Sequence, residues 1–155
     1  MDLDRLRGFQ TPRGGFAFWP GEEGEHDWLS AYVVHFLLSA SREGYEVAPG
    51  FLDPALDYLE RSARAWNSGE PWSQSVQAYR LYDLALAGRP EIAAMNRFRD
   101  FPSMPAPARF RLAAAYALAG MREAARELAR GLSPAPEDFP GLAAQTYGSK
   151  VRERA

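Results

Sequence analysis

Apolar residues recur along this chain with the spacing of helices, and almost nowhere with the alternation of strands. Asp27 precedes a dense apolar stretch from Trp28 to Ala40 that Gly44 ends; it is apolar on nearly every side and predicts a buried helix capped by Asp27. Asp53-Pro54 predicts an N-cap and first-turn proline for a second helix, with Leu56, Leu59, Ala63 and Trp66 on one face. Ser73 is placed to cap a third, carrying Val76, Tyr79, Leu84 and Leu86 and stopped at Gly88. Pro90 opens a fourth with Ile92, Met95 and Phe98. Pro105 or Pro107 opens a fifth that Gly120 stops. A sixth carries Ala124, Ala125, Leu128 and Leu132 before Pro134, Pro136 and Pro140 break the pattern.

The pattern repeats. Ala85-Leu86-Ala87-Gly88 returns as Ala117-Leu118-Ala119-Gly120, and Glu91 and Ala93 match Glu123 and Ala125 at the same offset of 32 residues. Each unit reads helix, glycine turn, helix, and such hairpins bury their apolar faces against neighbouring hairpins. The expected fold class is all-α: helical hairpins of a partial α/α toroid, or alternatively an open helical-repeat solenoid of the tetratricopeptide kind. Ala113-Ala114-Ala115 permits close helix contact in either. Residues 1–155 read as a single helical domain. The helical start at Tyr147-Gly148-Ser149 runs into Lys150–Ala155 and stops, as expected of a piece excised from a larger protein.

Residues 10–21, Gln-Thr-Pro-Arg-Gly-Gly-Phe-Ala-Phe-Trp-Pro-Gly, are too apolar for a surface linker and too broken for a helix. A Gln, a polar turn, Gly-Gly and an aromatic resemble a corner of α/α toroids, a superfold shared by triterpene cyclases, prenyltransferase-type β subunits and the thioester domains of alpha-2-macroglobulins. Gly14–Gly21, then Trp28–Val33, His35–Leu38 and Gly44–Val47 narrow the resemblance to bacterial alpha-2-macroglobulins. Gln77–Gly88, Met95-Asn96-Arg97, Arg111–Tyr116 and Tyr147-Gly148-Ser149 continue it across the chain. The resemblance implies the later part of a thioester-type toroid within a large protein that traps proteases: cleavage of a bait region exposes a thioester formed from a Cys and a Gln. It also implies a parent of the periplasm or cell envelope, with the parent's other domains and target proteases as partners. This chain has no Cys, so that motif is not in it; it lies upstream in the parent, or the parent is a relative without a thioester, and the sequence leaves both open.

Bulk properties narrow the alternatives. With 46% hydrophobic and 25% charged residues the chain has a globular composition. A net charge of −2 supplies no field for a phosphate backbone, so no nucleic-acid partner is expected. The uncharged run from Trp28 to Ser41 is shorter than the roughly 18 residues a membrane helix needs, and the charged N-terminus is no signal peptide. No direct membrane contact is expected.

Several residues carry possible chemistry. Gln10 is expected to bond backbone groups at a helix end and tie one hairpin to the next; its competing use is to hold a ligand amide. Phe16, Phe18 and Trp19 read as packing between hairpins rather than a pocket lining, and Gly14 and Gly15 as positive-φ or close-approach positions. His35 sits among apolar neighbours and reads as a core or groove histidine with one hydrogen-bond partner, although a neutral imidazole can also assist acyl transfer. His26, amid Glu22, Glu23, Glu25 and Asp27, reads as part of a solvated loop that favours the following helix start rather than a cation site. Tyr79, Tyr82 and Tyr116 read as packing with polar tips at the surface, with a peptide groove as the alternative. Arg97, Arg99, Arg109 and Arg111 read as a solvated face, with binding of an acidic partner as the alternative. No catalytic, metal or cofactor residues are expected, and the chain is not expected to be an enzyme.

The expected function is thus a structural and interaction domain of an alpha-2-macroglobulin-like protein. The competing readings are a tetratricopeptide-like peptide-binding scaffold and, third, a toroid enzyme acting on terpenoids or glycans, for which no Asp-rich motif is present. Removing a piece from a ring exposes helix faces that missing hairpins would cover, so self-association is expected.

Overall fold

A computed structural model describes residues 3–132, and the expectations placed on Pro134–Pro140 and Tyr147–Ala155 lie outside the described residues. Among the described residues seven helices follow one another: α1 (Asp4–Arg7), α2 (Asp27–Arg42), α3 (Pro49–Ala65), α4 (Pro71–Leu86), α5 (Ile92–Arg99), α6 (Ala106–Leu118) and α7 (Arg122–Ala129). The β structure among the described residues is an isolated antiparallel bridge between Gln10 and Phe16. The chain is all-α, as its periodicity implies. None of the described helices is long and apolar enough to cross a membrane.

The helices follow in three consecutive pairs, α2–α3, α4–α5 and α6–α7. Helices α2 and α6 both pack on α4; α3 packs on α2 and α4, α5 on α3 and α6, and α7 on α6. Leu37, Leu59, Leu81, Leu84, Met95, Phe98, Leu112 and Tyr116 are fully buried between them. The α4–α6 contact is the most extensive, and Ala78, Ala85, Ala108 and Ala115 are all buried in these helices. Residues without bulk beyond Cβ let two backbones approach closely, the role expected of the alanine run.

Glycine ends three helices in one way. At the end of α4 the Arg89 amide donates to the Leu84 carbonyl at 2.8 Å and the Gly88 amide to Ala85 at 3.1 Å, with Gly88 at φ 74°. Gly120 after α6 and Gly44 after α2 repeat the pattern, with Met121 donating to Tyr116 and Tyr45 to Ala40. These paired bonds absorb carbonyls that a helix end leaves orphaned. The repeat of 32 residues is therefore a repeat of turn chemistry. It does not extend to packing: Ala125 is buried and Ala93 is exposed.

The expected helix starts are corrected. The N-cap of α2 is His26, whose Nδ1 accepts the Leu29 amide at 3.3 Å, and Asp27 is the first helical residue. Helix α3 starts at Pro49, so Pro54 lies inside it. The carbonyl that Pro54 deprives of a donor is that of Gly50, which is exposed and can bond water. Helix α4 starts at Pro71, and Ser73 instead accepts a hydrogen bond from Trp66 Nε1 at 2.8 Å. Prolines at the first helical position, already fixed near helical φ, override the polar side chains downstream. Nor is α2 buried on all sides: Tyr32 is 48% exposed.

Candidate functional site

The corner at residues 10–17 is a tightly bonded turn. The Thr11 amide donates to Gly15 at 2.9 Å, Gly14 to Thr11 at 2.9 Å and Ala17 to Phe9 at 3.0 Å. Gln10 Nε2 donates to the Gly14 carbonyl at 3.1 Å and to the Phe51 carbonyl at 3.0 Å, which ties the corner to the first turn of α3 as its sequence position suggests. Gly14 has φ 97°, and a side chain there would collide with Pro54, as one at Gly15 would with Glu25 and Tyr58. Phe16 is buried edge-on to Phe51, centroids 5.9 Å apart, with its amide on Ser30 Oγ. Phe18 and Trp19 depart from the expected packing role: they are 53% and 73% exposed. Phe18 rims a shallow apolar hollow with Leu6, Phe9, Leu29 and Val33, while Trp19 is left mostly to solvent. His26 lies 4.7 Å from the Phe18 ring. Among the described residues no group of three or more His, Asp or Glu could hold a metal ion.

A second cluster joins α2, α3 and α4. Arg80, buried, places Nη2 2.9 Å from Asp27 Oδ1, and Tyr58 donates to the same oxygen at 2.9 Å. Arg80 Nη1 also donates to Gln77 Oε1 at 3.0 Å, and Gln77 Nε2 to the Ala63 carbonyl at 3.1 Å. Burial, with the Asp27 charge adding to it, pushes the Tyr58 phenol up to about 12. Asp27 is thus an ion-pair partner rather than the cap expected of it.

The third cluster is the one with chemistry open to solvent. His35 Nδ1 lies 2.9 Å from Asp83 Oδ1; the histidine side chain is 34% exposed and the aspartate 0%. Burial pushes the Asp83 carboxyl up to about 7, against the opposing effects of His35 and Arg111. Engaging Nδ1 leaves Nε2 as the ring nitrogen not held by Asp83. Tyr82 stacks on the imidazole with centroids 5.8 Å apart, and Tyr79 lies at 5.6 Å on a tilt. Arg111, from α6, lies with its guanidinium carbon 4.9 Å from the centre of the Tyr79 ring. Burial raises the Tyr79 phenol above its ordinary value. Tyr32 stacks on Trp28 at 5.2 Å. This is the groove histidine with one partner read from the sequence; Asp83, Arg80, Gln74 and Gln77, all buried, were not singled out there.

Two sequence readings change. Tyr116 is fully buried and donates to Asn96 Oδ1 at 2.7 Å, so it does not share a groove with Tyr79 and Tyr82. Of the arginines, Arg97 and Arg99 are exposed as expected and Arg109 and Arg111 are partly buried, but the group is not merely solvated. Arg97 Nη2 donates to the carbonyls of Ala63 at 3.1 Å and Arg64 at 2.8 Å, and Arg109 Nη2 to Leu128 at 2.9 Å, so both satisfy helix-end carbonyls of other helices. Arg99 lies 6.0 Å over Tyr116, and Arg111 over Tyr79.

No protein-family model matches the chain. Over 105 residues, 63% of this chain and 6% of the relative, it is 30% identical to an alpha-2-macroglobulin of Xylella fastidiosa. Over 47 residues, 30% of this chain and 3% of the relative, it is 43% identical to the alpha-2-macroglobulin of Escherichia coli K12. The matched stretches are thus a small part of these relatives' length. The fold matches Salmonella alpha-2-macroglobulin reacted with methylamine, with a TM-score of 0.82 and 22% identity over 97% of this chain and 10% of that one. It also matches native Escherichia coli alpha-2-macroglobulin spanning domain MG7 to the C-terminus, with a TM-score of 0.76 and 23% identity over 97% of this chain and 25% of that one. The trypsin-activated Escherichia coli protein matches with a TM-score of 0.77 and 23% identity over 97% of this chain and 11% of that one.

Proposed function

We infer that this chain, a relative of the bacterial alpha-2-macroglobulins in sequence and fold, is a structural and interaction module of a larger protease-trapping protein. Its role is to form part of a rigid helical toroid that docks on the parent's other domains and, where the parent has a thioester, helps to keep water from it. Water hydrolyses an exposed thioester, so a dry helical wall preserves its reactivity. The observation that carries this reading is the Gly-Gly-Phe corner, locked onto α3 by Gln10 and Pro54, within a hairpin fold that matches the bacterial proteins over 97% of the chain. The parent acts at the cell envelope or in the periplasm, where proteases from outside are met. This chain contributes no catalysis of its own.

The test uses the full-length polypeptide that carries this segment. After stoichiometric incubation, trypsin is expected to keep its activity on a small chromogenic peptide and to lose activity on casein. Equal retention of both activities would refute trapping.

A further inference from the structure

Arg111, on α6, is held differently from the arginines that pair with acids or helix-end carbonyls. Arg64 pairs with Glu60 and Glu91, Arg80 with Asp27, and Arg89 with Asp57 and Glu60. Arg97 and Arg109 are bonded to helix-end carbonyls. Arg111 has neither kind of partner among the described residues; its contact is the face of Tyr79 at 4.9 Å. Stacking holds the guanidinium plane while leaving its N–H edge unspent, and that edge matches a carboxylate in two-point geometry.

We propose that the surface formed by Tyr32, His35, Tyr79, Tyr82 and Arg111 is a receptor site for an acidic segment of another polypeptide. Arg111 takes a carboxylate, and the tyrosine and imidazole rings take the apolar or aromatic side chain beside it. Charge supports this occupant. Helix α6 carries no acid; α2 carries Asp27, already paired with Arg80, and α4 carries Asp83. Asp83 is fully buried and bonded to His35, so its carboxylate does not face the surface. Arg111 is then the arginine whose charge this surface presents to a partner. The rings supply area with few rotors to order: Tyr32 is 48% exposed, and His35 and Tyr82 are stacked with planes 21° apart. The site stands on this geometry alone and holds whether or not the parent traps proteases.

The test titrates the whole chain with the capped peptide Ac-Gly-Phe-Glu-Gly-NH2 and its Gln isostere, following the His35 ring signals by NMR. The Glu peptide is expected to shift those signals and to bind at least about tenfold tighter than the Gln peptide, as a charge-assisted contact implies. Arg111→Gln removes that discrimination, whereas Arg5→Gln, in α1, keeps it. Arg111→Lys preserves charge without the stacked fork and is expected to weaken the Glu peptide several-fold while still preferring it, which covers the case of a Gln variant that does not fold. Equal binding of the two peptides, absence of binding at millimolar peptide, or acetate binding as tightly as the Glu peptide would each overturn the proposal.

Discussion

A Cβ built on Gly14 would lie 2.1 Å from the carbonyl oxygen of Pro54, which is backbone and cannot swing aside. With φ at 97° the position is also strained for any L side chain. Gly14→Ala is therefore expected to cost about 2–4 kcal/mol in urea unfolding, the sum of backbone strain and displaced helix. Gly24→Ala, with nothing within 4 Å of its Cβ, is the control and should stay within about 0.5 kcal/mol of the parent.

The glycines that end α4 and α6 test conformation without crowding. Gly88 and Gly120 have φ of 74° and 79° and open space around a Cβ. Replacing either with Ala should cost only about 1–2 kcal/mol, the left-handed penalty by itself. Asn, which tolerates that region, should recover part of the loss in the same unfolding assay.

Gln10 donates twice and is flanked by two carbonyl acceptors. Gln10→Ala leaves the Gly14 and Phe51 carbonyls without that donor and should cost about 1–3 kcal/mol. Gln10→Glu should cost more than Ala at neutral pH, because a carboxylate turned toward two carbonyl oxygens repels both. Acid titration should narrow the gap between the two variants as the Glu takes up a proton and regains a donor.

Asp83 gives the fold a signed pH dependence. Its folded carboxyl is pushed from the usual 3.8 to about 7 by burial. Between those values the folded state binds more protons than the unfolded chain, so stability falls as pH rises from about 4 to 7. Asp83→Asn should flatten this slope in unfolding curves taken across that range. A slope unchanged by the substitution would show that Asp83 is not its source.

Leu6, Phe9, Phe18, Leu29 and Val33 line an apolar hollow beside the corner, with Trp19 projecting beyond it at 73% exposure. Such a face favours association in water. Light scattering of the chain over a rising concentration series is expected to show oligomers, reduced by the double substitution Phe18→Ser and Trp19→Ser. A monomer at high concentration contradicts the expectation.

The legible parts of the fold are those set by local chemistry. Gly44, Gly88 and Gly120 end helices because positive φ is a backbone matter, and Leu59, Met95 and Phe98 are buried as their spacing implies. Helix starts were less legible, since Pro49 and Pro71 compete with Asp53 and Ser73 and two kinds of local start signal stand within a few residues of each other. Gln74, Gln77, Arg80 and Asp83 of α4 are polar yet buried. They are buried because polar partners arrive from elsewhere: Asp27 and His35 on α2, the Ala63 carbonyl on α3 and the Gly69 carbonyl ahead of α4. A periodicity argument sees one helix at a time and has no access to those partners. His35 was legible as a one-partner histidine, but the partner lies 48 residues away.

Helix α3 finishes unlike α2, α4 and α6. It has no glycine stop: its last carbonyls are taken by side chains that follow in sequence, Ala63 by Gln77 and Arg97, Arg64 by Arg97. The other three can terminate from information within a few residues, at the rate of local chain motion. The Ala63 carbonyl is reached by Gln77 across 14 residues, whereas the Arg64 carbonyl needs a loop of 33 residues to close and deliver Arg97. A peptide spanning residues 49–66 alone should fray at its C-terminal end, and in the whole chain the second hairpin sets the moment at which the first becomes complete.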